Sequence, residues 1–109
     1  MTHITVYQTQ GVEFTAFRCI GHAGYADAGE DIVCAAISVL VINTINSVER
    51  LAGDSFHLET DPESGLIDFS LKEGYSKESL LFLRSLVLGL QGIQSNYGND
   101  YMTLEFKEV

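Results

Sequence analysis

Positive charge is scarce in this chain: six Lys and Arg stand against fifteen Asp and Glu, giving a formal charge of −9 over 109 residues. Such a balance repels nucleic-acid phosphates and anionic lipid heads, so direct nucleic-acid or membrane binding is excluded as a first reading. A basic partner is favoured instead, beside the solubility that acidity confers on its own. Cysteine is scarce too, with only Cys19 and Cys34. In a reducing compartment these read as free thiols, and a chain of this length buries roughly two thirds of its unfolded surface without needing a disulfide staple. Paired metal-ligand spacing is missing: Cys19, His22 and Cys34 form no such motif, and His3 and His57 stand in separate strand-like runs. No metal or other cofactor is therefore expected. The N-terminus lacks the basic flank and long apolar stretch of a signal peptide. Apolar stretches fall short of the roughly 18 residues of a membrane span, so the expected location is the cytoplasm. Linker-like composition, internal repeats and low-complexity segments are absent as well, which leaves one domain over residues 1–109.

What is present is clear periodicity. Ile4 and Val6 alternate with Thr5 and Tyr7, and after Gly11 a second alternating run from Phe14 to Ile20 completes a hairpin. From Asp31 to about Leu51 no Gly or Pro intervenes, and Val33, Ile37, Leu40, Val41, Thr44, Val48 and Leu51 follow helical spacing, with Gly53 placed for a left-handed cap. Ile32, Val39, Ile42 and Ile45 widen that apolar face, so more than one side of the helix needs covering, and a subunit interface is one way to do it. Phe56 to Thr60 and Leu66 to Leu71 form a second hairpin around the turn Asp61-Pro62-Glu63-Ser64-Gly65. A second helix, capped by Ser76, carries Leu80, Leu83, Val87, Leu90 and Gln94 at helical spacing and runs to about Ser95. A last strand covers Met102 to Phe106. The order ββαββαβ predicts an α/β sandwich of the α+β type. Its five-stranded sheet is mainly antiparallel or mixed and carries two helices on one face.

The segment from Gly21 to Ala36 carries the chemistry. His22 follows the second strand-like run, Cys34 opens the first helix-like run, and an acidic, glycine-bearing loop joins them. If the loop folds back the two can meet, and a thiolate beside an imidazolium is a competent nucleophile for acyl transfer. With Asp31 as N-cap, Cys34 falls in the first helical turn. There the free amides and the dipole favour a thiolate and offer an oxyanion hole, while Glu30 and Asp31 oppose this by raising the thiol pKa. Capping suits Asp31 better than the third place of a catalytic triad. Ser38 lies one turn past Cys34, where a bond to the carbonyl four residues back is favoured over one near the thiol. Gly21, Gly24 and Gly29 allow unusual backbone angles, although each alone is an ordinary turn glycine. Cys19 reads as a small core residue, with a redox partner of Cys34 as the alternative. On residue chemistry alone, Cys34 stays open between a nucleophile and a packed structural thiol.

Gly21-His22-Ala23, Gly29 and Asp31-Ile32-Val33-Cys34-Ala35-Ala36, together with Leu90-Gln91-Gly92-Ile93 and Tyr97, resemble the signature of the ribosomal-processing cysteine protease Prp family. The resemblance spans nearly the whole chain in length and element order. It implies a homodimeric bacterial cysteine protease that removes a short N-terminal extension from a large-subunit ribosomal protein, cutting after an aromatic residue. Cys34 is then the nucleophile and His22 the base that activates it and later protonates the leaving amine. Asp31, Ser38, Gly21 and Gly29 are supporting candidates. The implied partner is a basic ribosomal protein precursor, and an acidic chain suits it because complementary charge speeds encounter, with Asp27, Glu30 and Asp31 contributing to the field. Two other readings are a non-enzymatic acidic binding module for a basic ribosomal or assembly protein, and a thiol redox sensor.

Overall fold

The computed structural model describes residues 1–11, 13–21 and 28–109, with side chains of the first helix described from Ile32 onward. The elements are β1 (Thr2–Gln8), β2 (Phe14–Ile20), α1 (Ala28–Ser47), a π-helical turn (Val48–Ala52), β3 (Phe56–Asp61), β4 (Leu66–Leu71), α2 (Lys77–Tyr97) and β5 (Met102–Glu108). They build one mixed sheet in the order β3-β4-β2-β1-β5. The two hairpins pair locally and antiparallel, as their alternation requires, while β5 adds to the free edge of β1 in parallel, Met102 beside Thr2.

Register decides which side of the sheet is apolar. Ile4 and Val6 stand opposite Cys19 and Phe17, which in turn stand opposite Ile67 and Phe69 on β4. All six point to the same face because side chains alternate along a strand. The Phe17 and Phe69 rings stack there at 4.9 Å between centroids. Both helices cover this face: α1 buries Val33, Ile37, Val41 and Thr44, and α2 buries Ser79, Leu83, Leu86, Val87 and Leu90. The helices approach closely at Gly89, where a Cβ would lie 2.8 Å from a Leu40 methyl. The expected sandwich and element order hold.

Three expectations are corrected. Helix α1 begins at Ala28 rather than after an Asp31 cap, so Asp31 is an interior residue and Gly29 belongs to the first turn. Ala28 and Glu30 favour helix, and a single glycine costs only about 1 kcal/mol against it. Leu51 does not extend the buried stripe and is 73% exposed. A π-turn closes on the fifth residue rather than the fourth, which shifts Leu51 out of phase with buried Val48. Lastly, the helical stretch Ile32–Ala52, with a mean hydropathy of 1.8, is long and apolar enough to cross a membrane by length and composition. Ser38, Asn43, Thr44 and Asn46 interrupt the apolar run to the eye without lowering its average far. One stripe of that stretch, from Val33 to Val48, is packed in the core described above.

Candidate active site

Helix α1 leaves the edge strand β3 partly uncovered. Leu58 shows this: it pairs with fully buried Phe69 on the helix-bearing face, yet is 46% exposed. Between α1 and the β3–β4 hairpin there is consequently a cavity of about 440 Å³, within the roughly 300–1,000 Å³ usual for ligand sites. Cys34, Ile42 and Ile45 line it from α1, Leu58, Thr60 and Asp61 from β3, and Gly21 from the end of β2. The lining is mostly aliphatic, which lowers the local polarity around the one partly exposed thiol.

Cys34 is free and half-buried. It is the seventh residue of α1, counting from Ala28, and so sits beyond the first turn, where the helix dipole and the unpaired amides act. The dipole and oxyanion arguments made for a first-turn cysteine therefore do not apply to its own amide, and a neighbouring cation carries more of the case for a thiolate. The Ser38 hydroxyl donates to the Cys34 carbonyl at 2.9 Å, the bond expected of a helical serine, and Ser38 lines the cavity too.

Gly21 is held from two sides. Its N–H donates to the Ser64 carbonyl in the β3–β4 turn at 2.9 Å, and its φ of +93° is a conformation that side chains disfavour. A Cβ there would run into the Met1 carbonyl oxygen. The chain is thus fixed where it leaves β2. His22, Gly24 and Asp27 lie outside the described residues, as do the side chains of Glu30 and Asp31.

Cys19 also lines the cavity, but from the core side. Burial pushes its thiol up to about 12, so it is protonated at neutral pH and is a poor nucleophile. Among the described residues no three His, Cys, Asp or Glu come together as a metal site. Sequence reading did not single out the β3–β4 wall of the cavity: Leu58, Thr60, Asp61 and Ile67 follow Cys34 by more than twenty residues and carry only strand and turn signals.

A family model described as Cysteine protease Prp matches residues 1–102. The chain is 27% identical over 104 residues to the ribosomal processing cysteine protease Prp of Bacillus subtilis (strain 168), covering 92% of this chain and 93% of that relative. Its fold is similar to that of the essential ribosomal processing protease Prp from S. aureus in complex with a substrate peptide. The TM-score is 0.90 at 23% identity, over 98% of this chain and 100% of the other. A second structure of the S. aureus protease, with a covalently linked product peptide, gives a TM-score of 0.87 at 24% identity over the same shares of the two chains.

Proposed function

Because the chain belongs to the cysteine protease Prp family, we propose that it removes a short N-terminal extension from a large-subunit ribosomal protein, with Cys34 as nucleophile and His22 as base. The observation that carries this reading is that Gly21, one residue before His22, and Cys34 line the same cavity. A base attached to the first point and a thiol at the second serve one enclosed site.

In this reaction the Cys34 thiolate attacks the scissile carbonyl carbon, and the tetrahedral intermediate collapses with loss of the amine, to which the His22 imidazolium gives its proton. The thioester left on Cys34 is then attacked by water as His22 takes the water's proton. The extension departs as a carboxylate and the thiolate is restored. A covalently linked product peptide in the S. aureus relative supports chemistry of this kind. The aliphatic walls suit an aromatic or other apolar residue before the cut. The same reading includes a homodimer, action in the cytoplasm, and a substrate met as protein rather than through RNA or a membrane.

Incubation with a peptide spanning the ribosomal protein's N-terminal extension, read by mass spectrometry, tests the assignment. Cleavage by the unmutated chain and its loss in Cys34→Ala and His22→Ala are expected. Unimpaired cleavage by Cys34→Ala would sink the assignment.

A further inference from the structure

Resting on the protease reading, we propose that Asp61 determines specificity by receiving a lysine or arginine of the substrate, close along the chain to the apolar side chain held in the cavity. Asp61 is the only charged residue among the described residues that line the cavity. Its carboxylate is oriented by its own turn: Oδ1 accepts from the Glu63 N–H and Oδ2 from the Ser64 hydroxyl, both at 3.1 Å. Both donors are neutral, so the turn fixes the direction of the carboxylate without itself supplying a counter-charge. A fixed anion at the rim of an aliphatic cavity selects a side chain with an opposite charge.

The strand sets the spacing. Leu58 and Thr60 alternate on the cavity side of β3, and Asp61 ends that strand. At about 3.3 Å per residue, Leu58 and Asp61 are separated by roughly 10 Å, or two to three residues of an extended peptide. The occupant is therefore an extended segment with an apolar anchor beside Leu58 and Ile42 and a cation two or three residues away at Asp61. Glu59 has the same charge but pairs with Asp68 away from the strand end and does not line the cavity, so it plays no part.

The test uses the full chain carrying Cys34→Ala, so that peptides bind without being cut. Fluorescence anisotropy compares peptides with one Phe and a Lys two or three residues to either side against the same peptides with Gln for Lys. The best-placed Lys peptide is expected to bind about threefold to fivefold more tightly at low salt, as for a solvent-accessible ion pair, and to lose the advantage at high salt. Adding Asp61→Asn, which keeps a carbonyl acceptor for the Glu63 amide, should abolish the preference, whereas adding Glu59→Gln should leave it. Equal binding of Lys and Gln peptides, binding of neither, or a preference that survives Asp61→Asn would each overturn the proposal. Cleavage by the chain with Cys34 intact is read in parallel. Loss of cleavage with the preference intact counts against the protease reading alone, and cleavage without the preference counts against Asp61 alone.

Discussion

Cys19 and Cys34 line one cavity and differ in what surrounds the sulfur. Cys34 faces it partly exposed, whereas Cys19 is 3% exposed and its thiol is held up at about 12 by desolvation. Brief treatment with iodoacetamide at pH 7.5 should therefore alkylate Cys34 and spare Cys19 in the native chain, as read by peptide mapping; preferential labelling of Cys19 would contradict the burial argument. Cys19 also predicts a loss of stability in alkali. A thiol with an ordinary pKa near 8.5 in the unfolded chain and about 12 in the folded one releases its proton only on unfolding between those values. Stability should fall as pH rises from about 8.5 towards 12, and Cys19→Ala should flatten that slope in urea titrations whatever it costs at neutral pH. Gly21 makes a different demand on its residue. Ala there must adopt a positive φ and meet the Met1 carbonyl, a strain of roughly 1–3 kcal/mol. Gly21→Ala should lower the urea midpoint and the cleavage rate together, while Cys34 stays open to alkylation. Unchanged cleavage would show that the exit from β2 does not set the site.

At the scale of elements, the start of α2 is tied to the segment before β3 through one carboxylate. Asp54 Oδ2 accepts from the Ser79 hydroxyl at 2.5 Å and from the Ser76 hydroxyl and N–H at 2.7 Å each, while Ser76 Oγ accepts from the Ser79 N–H. These donors, the Ser79 hydroxyl first, hold the Asp54 carboxyl below its ordinary range. A depressed pKa supplies stability that is present above the unfolded value, near 3.9, and is lost as pH falls through the folded one. Asp54→Ala should lower the urea midpoint at pH 7, and its gap from the unmutated chain should close as pH drops below about 4; a gap independent of pH would exclude the charge. The Ser76 cap was legible in the sequence because a capping signal is local, and so were both hairpins, since alternation and a Pro-Gly turn act within a few residues. The Ala28 start of α1 was not, because Gly29 and the acidic run imitate a loop until the helix is packed. The π-turn that rotates Leu51 into solvent leaves no periodic mark of its own. Of the proposed catalytic pair, Cys34 and His22 stood out in the sequence by chemical type, whereas the β3–β4 wall joined the cavity beside Cys34 only when the sheet order brought it next to α1.

At the scale of the molecule, the outer side of α1 is the feature a single chain leaves unexplained. Val39 is 67% exposed, and Ile32 and Ile42 are half or more exposed on the same helix. An apolar surface of this kind on a helix marks an interaction site, and a second copy is the occupant proposed above. The charge of −9 on each copy opposes association through like-charge repulsion, which salt screens. A dimer formed across α1 should therefore tighten as ionic strength rises, the reverse of an interface built from ion pairs. Val39→Asp adds a charge to that face without touching the cavity lining, so sedimentation velocity should show it as a monomer with unchanged circular dichroism. Leu88→Asp is also at a highly exposed position, 71%, but lies on α2, and should leave the dimer intact. A monomeric unmutated chain, or dissociation by Leu88→Asp and not by Val39→Asp, would remove α1 as the interface. Because Ile42 belongs both to this face and to the cavity beside Cys34, an α1 dimer also predicts that dilution below its dissociation constant weakens peptide binding. Val39→Asp should show that weakened binding at every concentration.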